Sequence, residues 1–302
     1  MSVTAIATLP PINKQPISHG SLPINLIFKL ISLLKKSIFS RKFYQEINDK
    51  VLSKSSTVDY NLYFICYFSL LVSSVLNNKS HILFFLRKQI FKLKQLYYEG
   101  AKQFGFNQES NEKLSQLKPP VYQELKPSQL AYNLKKINSY LADVRIFNRL
   151  TDSIKYMPWV IDEFYSWRNP SSKISSFNRF INFIQALNVL VLELFENAGW
   201  LTDHDFVSTG DNPWWSFETY IWCCRIWAAY VGIEVIELIR RTPYSKMDKN
   251  WKIALFKNLV QIPLTIHWSL RDGCLSPFWV GVCGSCASWW NFKDMWSSID
   301  LN

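Results

Sequence analysis

The amino-acid sequence predicts an all-α protein, a membrane-associated bundle of amphipathic and hydrophobic helices behind a disordered N-terminal arm. Three observations predict it. The chain of 302 residues is 48% hydrophobic with only nine glycines, and stretches of strand-like alternation are few. Apolar residues recur instead at helical spacing or in long uncharged runs. Charge is also placed unevenly: residues 1–118 hold 16 Lys/Arg against 6 Asp/Glu, whereas residues 119–302 hold 18 against 17. All thirteen Trp lie between Trp159 and Trp296. The basic part and the aromatic part are therefore read as different regions: a disordered arm over 1–23, a basic, apolar helical region over 24–118, a linker over 119–129, and a Trp-rich helical membrane domain over 130–302.

The basic region faces phosphates, and its Lys/Arg alternate with long aliphatic and aromatic runs rather than with Ser, Gly and Asn. That pattern favours anionic membrane lipid as the partner over nucleic acid. Met1 to Gly20 has no secretory charge, apolar core and cleavage pattern, so the six cysteines are expected as small buried thiols rather than disulfides. Cys283-Gly-Ser-Cys286 lacks a second pair to complete a zinc site. Asp203-His204-Asp205 points consecutive side chains in different directions and has no second ligand cluster. No catalytic residue, metal or cofactor is expected, and the chain is not expected to be an enzyme.

In chain order, Pro10, Pro11, Pro16 and Pro23 make the arm aperiodic; its freedom from acids also leaves a mitochondrial transit peptide open. Ile24 to Val51 predicts a long basic helix, and Tyr60 to Asn78 a nineteen-residue uncharged one, long enough to span a bilayer or to be buried in a bundle. His81 to Glu99 is more telling. Ile82, Leu83, Phe85, Leu86, Ile90, Leu93, Leu96 and Tyr97 fall in one helical arc of about 160°. Arg87, Lys88, Lys92 and Lys94 lie opposite, as in a helix lying among lipid headgroups; a solvated bundle helix fits as well. Gly100 to Pro127 reads as a linker. Leu130 to Leu150 predicts an amphipathic helix whose Arg145 and Arg149 are candidates for acidic partners or lipid phosphates; a solvated face fits them as well. A short helix is expected over Trp159–Trp167 after Pro158, and a longer one over Phe177–Gly199 with Gly199 as its C-terminal cap. Leu201 to Trp215 is expected as a polar loop, and Trp214 to Arg241 as the next helix. Lys246 to Ser269 should be interrupted or kinked at Pro263.

The last stretch, Gly273 to Phe292, has twenty positions without charge. Ser276-Pro277 fits an N-cap and first helical position, predicting a helix over Pro277–Trp290 of about 21 Å. A crossing would need one continuous helix over Trp268–Trp290, about 33 Å, with Arg271 and Asp272 inside it. Gly281, Gly284, Ser285 and Ser288 make a small-residue face suited to close packing. It is expected to pack against Phe177–Gly199 and Trp214–Arg241 and to pair between copies in a homo-oligomer.

The words LADVRIFNRL (Leu141 to Leu150), LFENAGWLTD (Leu194 to Asp203), WSFETYIWCCRIWAAYVGIEV (Trp215 to Val235) and IHWSLRDGCLSPFWVGVCGSCASWWNFKDMW (Ile266 to Trp296) resemble the fungal branch of the peroxin-eleven family. These are peroxisomal membrane proteins that elongate and divide the organelle. The resemblance covers about Leu130 to Asp300 and does not reach the first 120 residues. It implies a place on the peroxisomal membrane, a non-enzymatic part in its elongation and fission, and other peroxisomal proliferation and fission proteins as partners. In the family, remodelling is attributed to a basic amphipathic helix in the N-terminal half. Here His81–Glu99, Ile24–Val51 and Leu130–Leu150 are the candidates. A structural or transport-related protein of the mitochondrial or endoplasmic reticulum membrane is the alternative.

Overall fold

The computed structural model of the protein describes residues 40–103 and 117–300. The expected arm, residues 24–39 of the first expected helix, and part of the Gly100–Pro127 linker lie outside them. Among the described residues there are nine α-helices and no strand. They are α1 (Arg41–Ile47), followed by a π-helical turn over Asn48–Leu52, then α2 (Ser55–Asn77), α3 (Lys79–Gln103), α4 (Gln129–Arg149), α5 (Asp152–Arg168), α6 (Ser176–Asp203), α7 (Asn212–Arg241), α8 (Lys249–Ser269) and α9 (Pro277–Ser297).

Local chemistry sets several of the boundaries. Ser128, Ser175, Asp211 and Asp248 each accept a hydrogen bond from the backbone N–H three residues on, at 2.7–3.3 Å, and so cap α4, α6, α7 and α8. Pro213 and Pro277 sit at the second helical position of α7 and the first of α9, within the first turn, where the N–H has no partner inside the helix to lose. At the other end of α7, Arg240 and Arg241 both hydrogen-bond the Glu237 carboxylate, at 2.5–2.8 Å. Hydrogen bonding from Arg240, partly offset by burial and reinforced by Arg241, holds that carboxyl below its usual range.

Six helices close into a ring. Each of α2, α4, α6, α7, α8 and α9 packs on the next in that order, and α9 returns to α2. α5 lies outside against α6, where Phe164 and Trp167 meet Phe183 at 5.6 and 5.2 Å between ring centres. α3 leaves the ring. Because α2 sits between α4 and α9, the basic region and the Trp-rich region are not separately packed units.

Several helices run further than their local signals suggest. α5 begins six residues before Pro158 and carries it internally; α8 likewise runs unbroken through Pro263. Packing on neighbouring helices outweighs the hydrogen bond that each proline removes. Gly199 does not cap α6, which continues to Asp203. Its bare Cα instead admits the Tyr220 ring, which would stand 3.0 Å from an added Cβ. The loop expected from Leu201 therefore begins only at His204. α9 extends to Ser297, so its 21 residues measure about 31 Å. The continuous Trp268–Trp290 helix does not form. Gly273 turns the chain at φ 64°, a conformation open to glycine, and the His267 ring fills the space beside it. His267 Nδ1 accepts from the N–H groups of Cys274 and Leu275 at 2.8 and 3.0 Å. Arg271 and Asp272 thus lie in a loop between α8 and α9.

The most deeply buried residues are polar about as often as apolar. The buried residues include fifteen polar or charged ones against fourteen apolar ones, whereas every one of the nine helices leaves at least one large apolar side chain exposed, such as Phe68, Leu93, Phe147, Trp222 and Trp279. Water-soluble bundles bury their apolar stripe.

Candidate membrane interface and interior cavity

α3 is the most exposed long element. Asn78 joins it to α2, and a strap over residues 121–125 covers only its first turns. There the Leu125 N–H donates to Ser80 Oγ at 3.0 Å, and the Tyr122 ring lies 5.0 and 5.7 Å from those of His81 and Phe84. Leu83, beside the strap, and Leu86, Ile90 and Leu93, beyond it, are exposed, Leu93 at 66%. Arg87, Lys88, Lys92 and Lys94 are exposed as well. The sequence placed cations and apolar residues on opposed arcs, and the fold leaves both arcs open.

The small-residue face of α9 has a different partner from the one expected. Gly281, Gly284, Ser285 and Ser288 are buried, but against α2 rather than α6 and α7. A Cβ on Gly281 would stand 2.7 Å from both Cα and N of Leu71, and one on Gly284 would stand 2.1 Å from Cγ of Tyr67. The α2 side of this contact is Leu71 and Tyr67, whereas Ser73 faces α4 and donates to Ala131 O at 2.6 Å. Trp227 of α7 reaches only the cluster of Leu70, Leu264 and Val280 where α2, α8 and α9 meet. Since α2 covers the four small residues, they are not open to a second copy unless α2 moves away.

Arg145 and Arg149 point inward, not to solvent. Arg145 is 8% exposed; its Nε donates to Asp59 Oδ1 at 2.8 Å and its guanidinium lies 4.1 Å from the centre of the Tyr63 ring. Arg149 pairs with Glu196 Oε1 at 2.7 Å. Glu193, one turn earlier on α6, is 4% exposed and one of its oxygens has no hydrogen-bond partner. As lipid-phosphate contacts the two arginines are thus mistaken: they already neutralise acids of α2 and α6. The acids were the missed half of the network, and the sequence did carry a signal for them. Asp59 stands immediately before nineteen uncharged residues, and Glu193 and Glu196 follow thirteen. A charge at the edge of so apolar a run requires a partner.

Inside the ring is a cavity of about 800 Å³ to which all six helices contribute, from Asp59, Tyr63 and Tyr67 on α2 round to Asn291 on α9. The loop residues Arg271, Asp272 and Gly273 line it too, and Arg271 pairs with Glu218. The Asp203-His204-Asp205 turn ends α6 beside it. There the His204 ring stacks on Trp200 at 4.1 Å and its Nε2 lies 3.2 Å from Asp143 Oδ1. Asp205 takes φ 59° and accepts from Asn212 at 2.7 Å. The three residues form a helix-ending turn. The six cysteines are free, with Cys66 and Cys223 buried and Cys274 exposed; exposure of Cys274 departs from the expectation of uniformly buried thiols.

α2 and α6 are long and apolar enough to cross a bilayer. No family model matches the chain, and neither a curated protein nor a solved structure does.

Proposed function

We propose that this chain is a non-enzymatic membrane protein of the peroxin-eleven type, which remodels the peroxisomal membrane in organelle elongation and fission. The observation that carries the remodelling activity is α3: a 25-residue helix outside the ring, with Leu83, Leu86, Ile90 and Leu93 exposed along one arc and four cations along the other. Such a helix enters one leaflet at headgroup depth, where its apolar arc displaces lipid and its cations meet anionic headgroups. Of the other two candidates, Leu130–Leu150 has its arginines committed to the ring, and most of Ile24–Val51 lies outside the described residues. The apolar exterior of the ring supports a bundle held in lipid, with α2 and α6 as the crossing segments. The organelle rests on the resemblance of residues 130–300.

The test uses purified full-length protein and liposomes containing anionic phospholipid. Leu86→Asp with Leu93→Asp should abolish tubulation while the ring still assembles; tubulation that survives rules out α3 as the wedge. A C-terminal fluorescent fusion should mark peroxisomes. A mitochondrial or reticular pattern would instead favour a transport-related protein of another membrane, a reading that the central cavity supports.

A further inference from the structure

The central cavity has a charge balance that selects a ligand. Its arginines are spent: Arg145 on Asp59, Arg149 on Glu196, and Arg271 on Glu218. Two of its carboxylates are not. Asp203 and Asp272 line the cavity, are exposed, and form no ion pair among the described residues; Asp203 accepts only a long hydrogen bond from Ser216, at 3.4 Å. Phe217 and Trp268 line the same cavity at 43% and 44% exposure, so their ring faces are accessible. Deeper in, the Tyr63 ring already holds a guanidinium against its face. Unpaired acids beside open aromatic faces attract organic cations, through charge and through the ring quadrupoles. The same acids repel a carboxylate or phosphate. The volume of about 800 Å³ lies within the range of small-molecule sites, roughly 300–1,000 Å³.

We propose that this cavity binds an alkylammonium group, the cationic head of either a free amine or a zwitterionic phospholipid, with Asp203 and Asp272 as its counter-charges and Phe217 and Trp268 as its aromatic walls. This inference does not depend on the membrane-remodelling role of α3. Its test is run on the full chain in nanodiscs of phosphatidylglycerol, which has no ammonium group.

Equilibrium dialysis with labelled choline should show binding roughly tenfold tighter than that of 3,3-dimethyl-1-butanol, which has the same shape without the charge. Asp203→Asn with Asp272→Asn should remove that preference and leave the melting temperature unchanged, since both side chains are exposed. Displacement of choline by a short-chain phosphatidylcholine assigns the site to a lipid headgroup; displacement by free amines alone assigns it to a soluble cation. Equal binding of choline and its neutral isostere overturns the proposal. So does tighter binding of butyrate, or choline binding that survives the double substitution.

Discussion

Gly281 offers the sharpest test of how the ring closes. Two effects of opposite sign meet in Gly281→Ala. In a helix interior, replacing Gly by Ala is favourable by about 1 kcal/mol. Here, however, the new methyl stands 2.7 Å from the Leu71 backbone, and ordinary contact begins at 3.4 Å. α9 and α2 must therefore separate by about 0.7 Å along their whole small-residue seam, with loss of the dispersion contacts made there. Overpacking of this kind costs about 1–3 kcal/mol, and the upper end applies because the obstruction is backbone. The net expectation is a loss of about 1–2 kcal/mol. Gly232→Ala in α7 supplies the control: nothing lies within 4 Å of its added Cβ, so only the gain of up to about 1 kcal/mol remains. Unfolding of the purified protein in mixed micelles, followed by Trp fluorescence, reads both. Leu71→Ala should not rescue Gly281→Ala, since trimming a side chain leaves the backbone in place. A Gly281→Ala protein as stable as the parent, or a full rescue by Leu71→Ala, refutes the close approach of α2 and α9.

Three further outcomes follow from the same packing. Arg145→Ala leaves Asp59 without its partner beneath the ring and should destabilise the protein by about 3–5 kcal/mol, whereas Arg145→Met with Asp59→Leu should recover most of that in the same unfolding assay. Burial holds the His267 pKa below 6.5, and neutral Nδ1 accepts two backbone N–H groups. The folded state thus binds fewer protons than the unfolded one below pH 6.5, and stability falls as pH drops until it levels off beneath the folded pKa. Hydrogen exchange at Cys274 and Leu275 should quicken over that window, and His267→Gln should flatten the dependence. Reversing Arg87, Lys88, Lys92 and Lys94 to Glu should weaken binding to phosphatidylserine vesicles by at least about 1 kcal/mol per charge at low salt, with uncharged vesicles unaffected.

Where periodicity was strong, the sequence and the fold agree closely. His81–Glu99 lies within α3, Leu130–Leu150 matches α4 to a residue at each end, and Trp214–Arg241 matches α7 within two residues. Local signals failed where tertiary contacts override them. Gly199 and Pro158 carry the marks of helix ends, yet Tyr220 packing on the one and α6 packing beside the other carry the helices through. Partner identity was the larger gap. A small-residue face on α9 was legible from Gly281, Gly284, Ser285 and Ser288, but nothing local says that its complement is α2, more than 200 residues earlier in the chain. The arginines were legible too, and their direction was not: an amphipathic wheel places Arg145 and Arg149 off the apolar stripe, while the ring needs them inward for Asp59 and Glu196. Arg145 and Arg149 turn into the ring because their acid partners lie there, and a reading that sets charged residues on the solvent face assigns them to the outside.

The junction between α2 and α3 joins the ring to the proposed wedge. α2 has 23 residues, about 34 Å at 1.5 Å each, close to the thickness of a hydrocarbon core of about 30 Å. If α2 crosses, its Asn77 end reaches the interface. α3 restarts at Lys79, one residue later, with no slack to sink or to drift away. Its first cations then enter at headgroup level, held there by a helix anchored through Gly281 and Gly284. A flexible ten-residue Gly/Ser insertion after Asn78 removes that restraint while changing no side chain of α3. Vesicle binding should persist, because the apolar arc and the four cations are intact. Tubulation should fall sharply, because a tethered helix free to tilt or dissociate no longer holds a fixed depth in one leaflet. Tubulation at the parental level by the insertion variant would show that α3 acts without the ring, and that the bundle serves the protein in some other way.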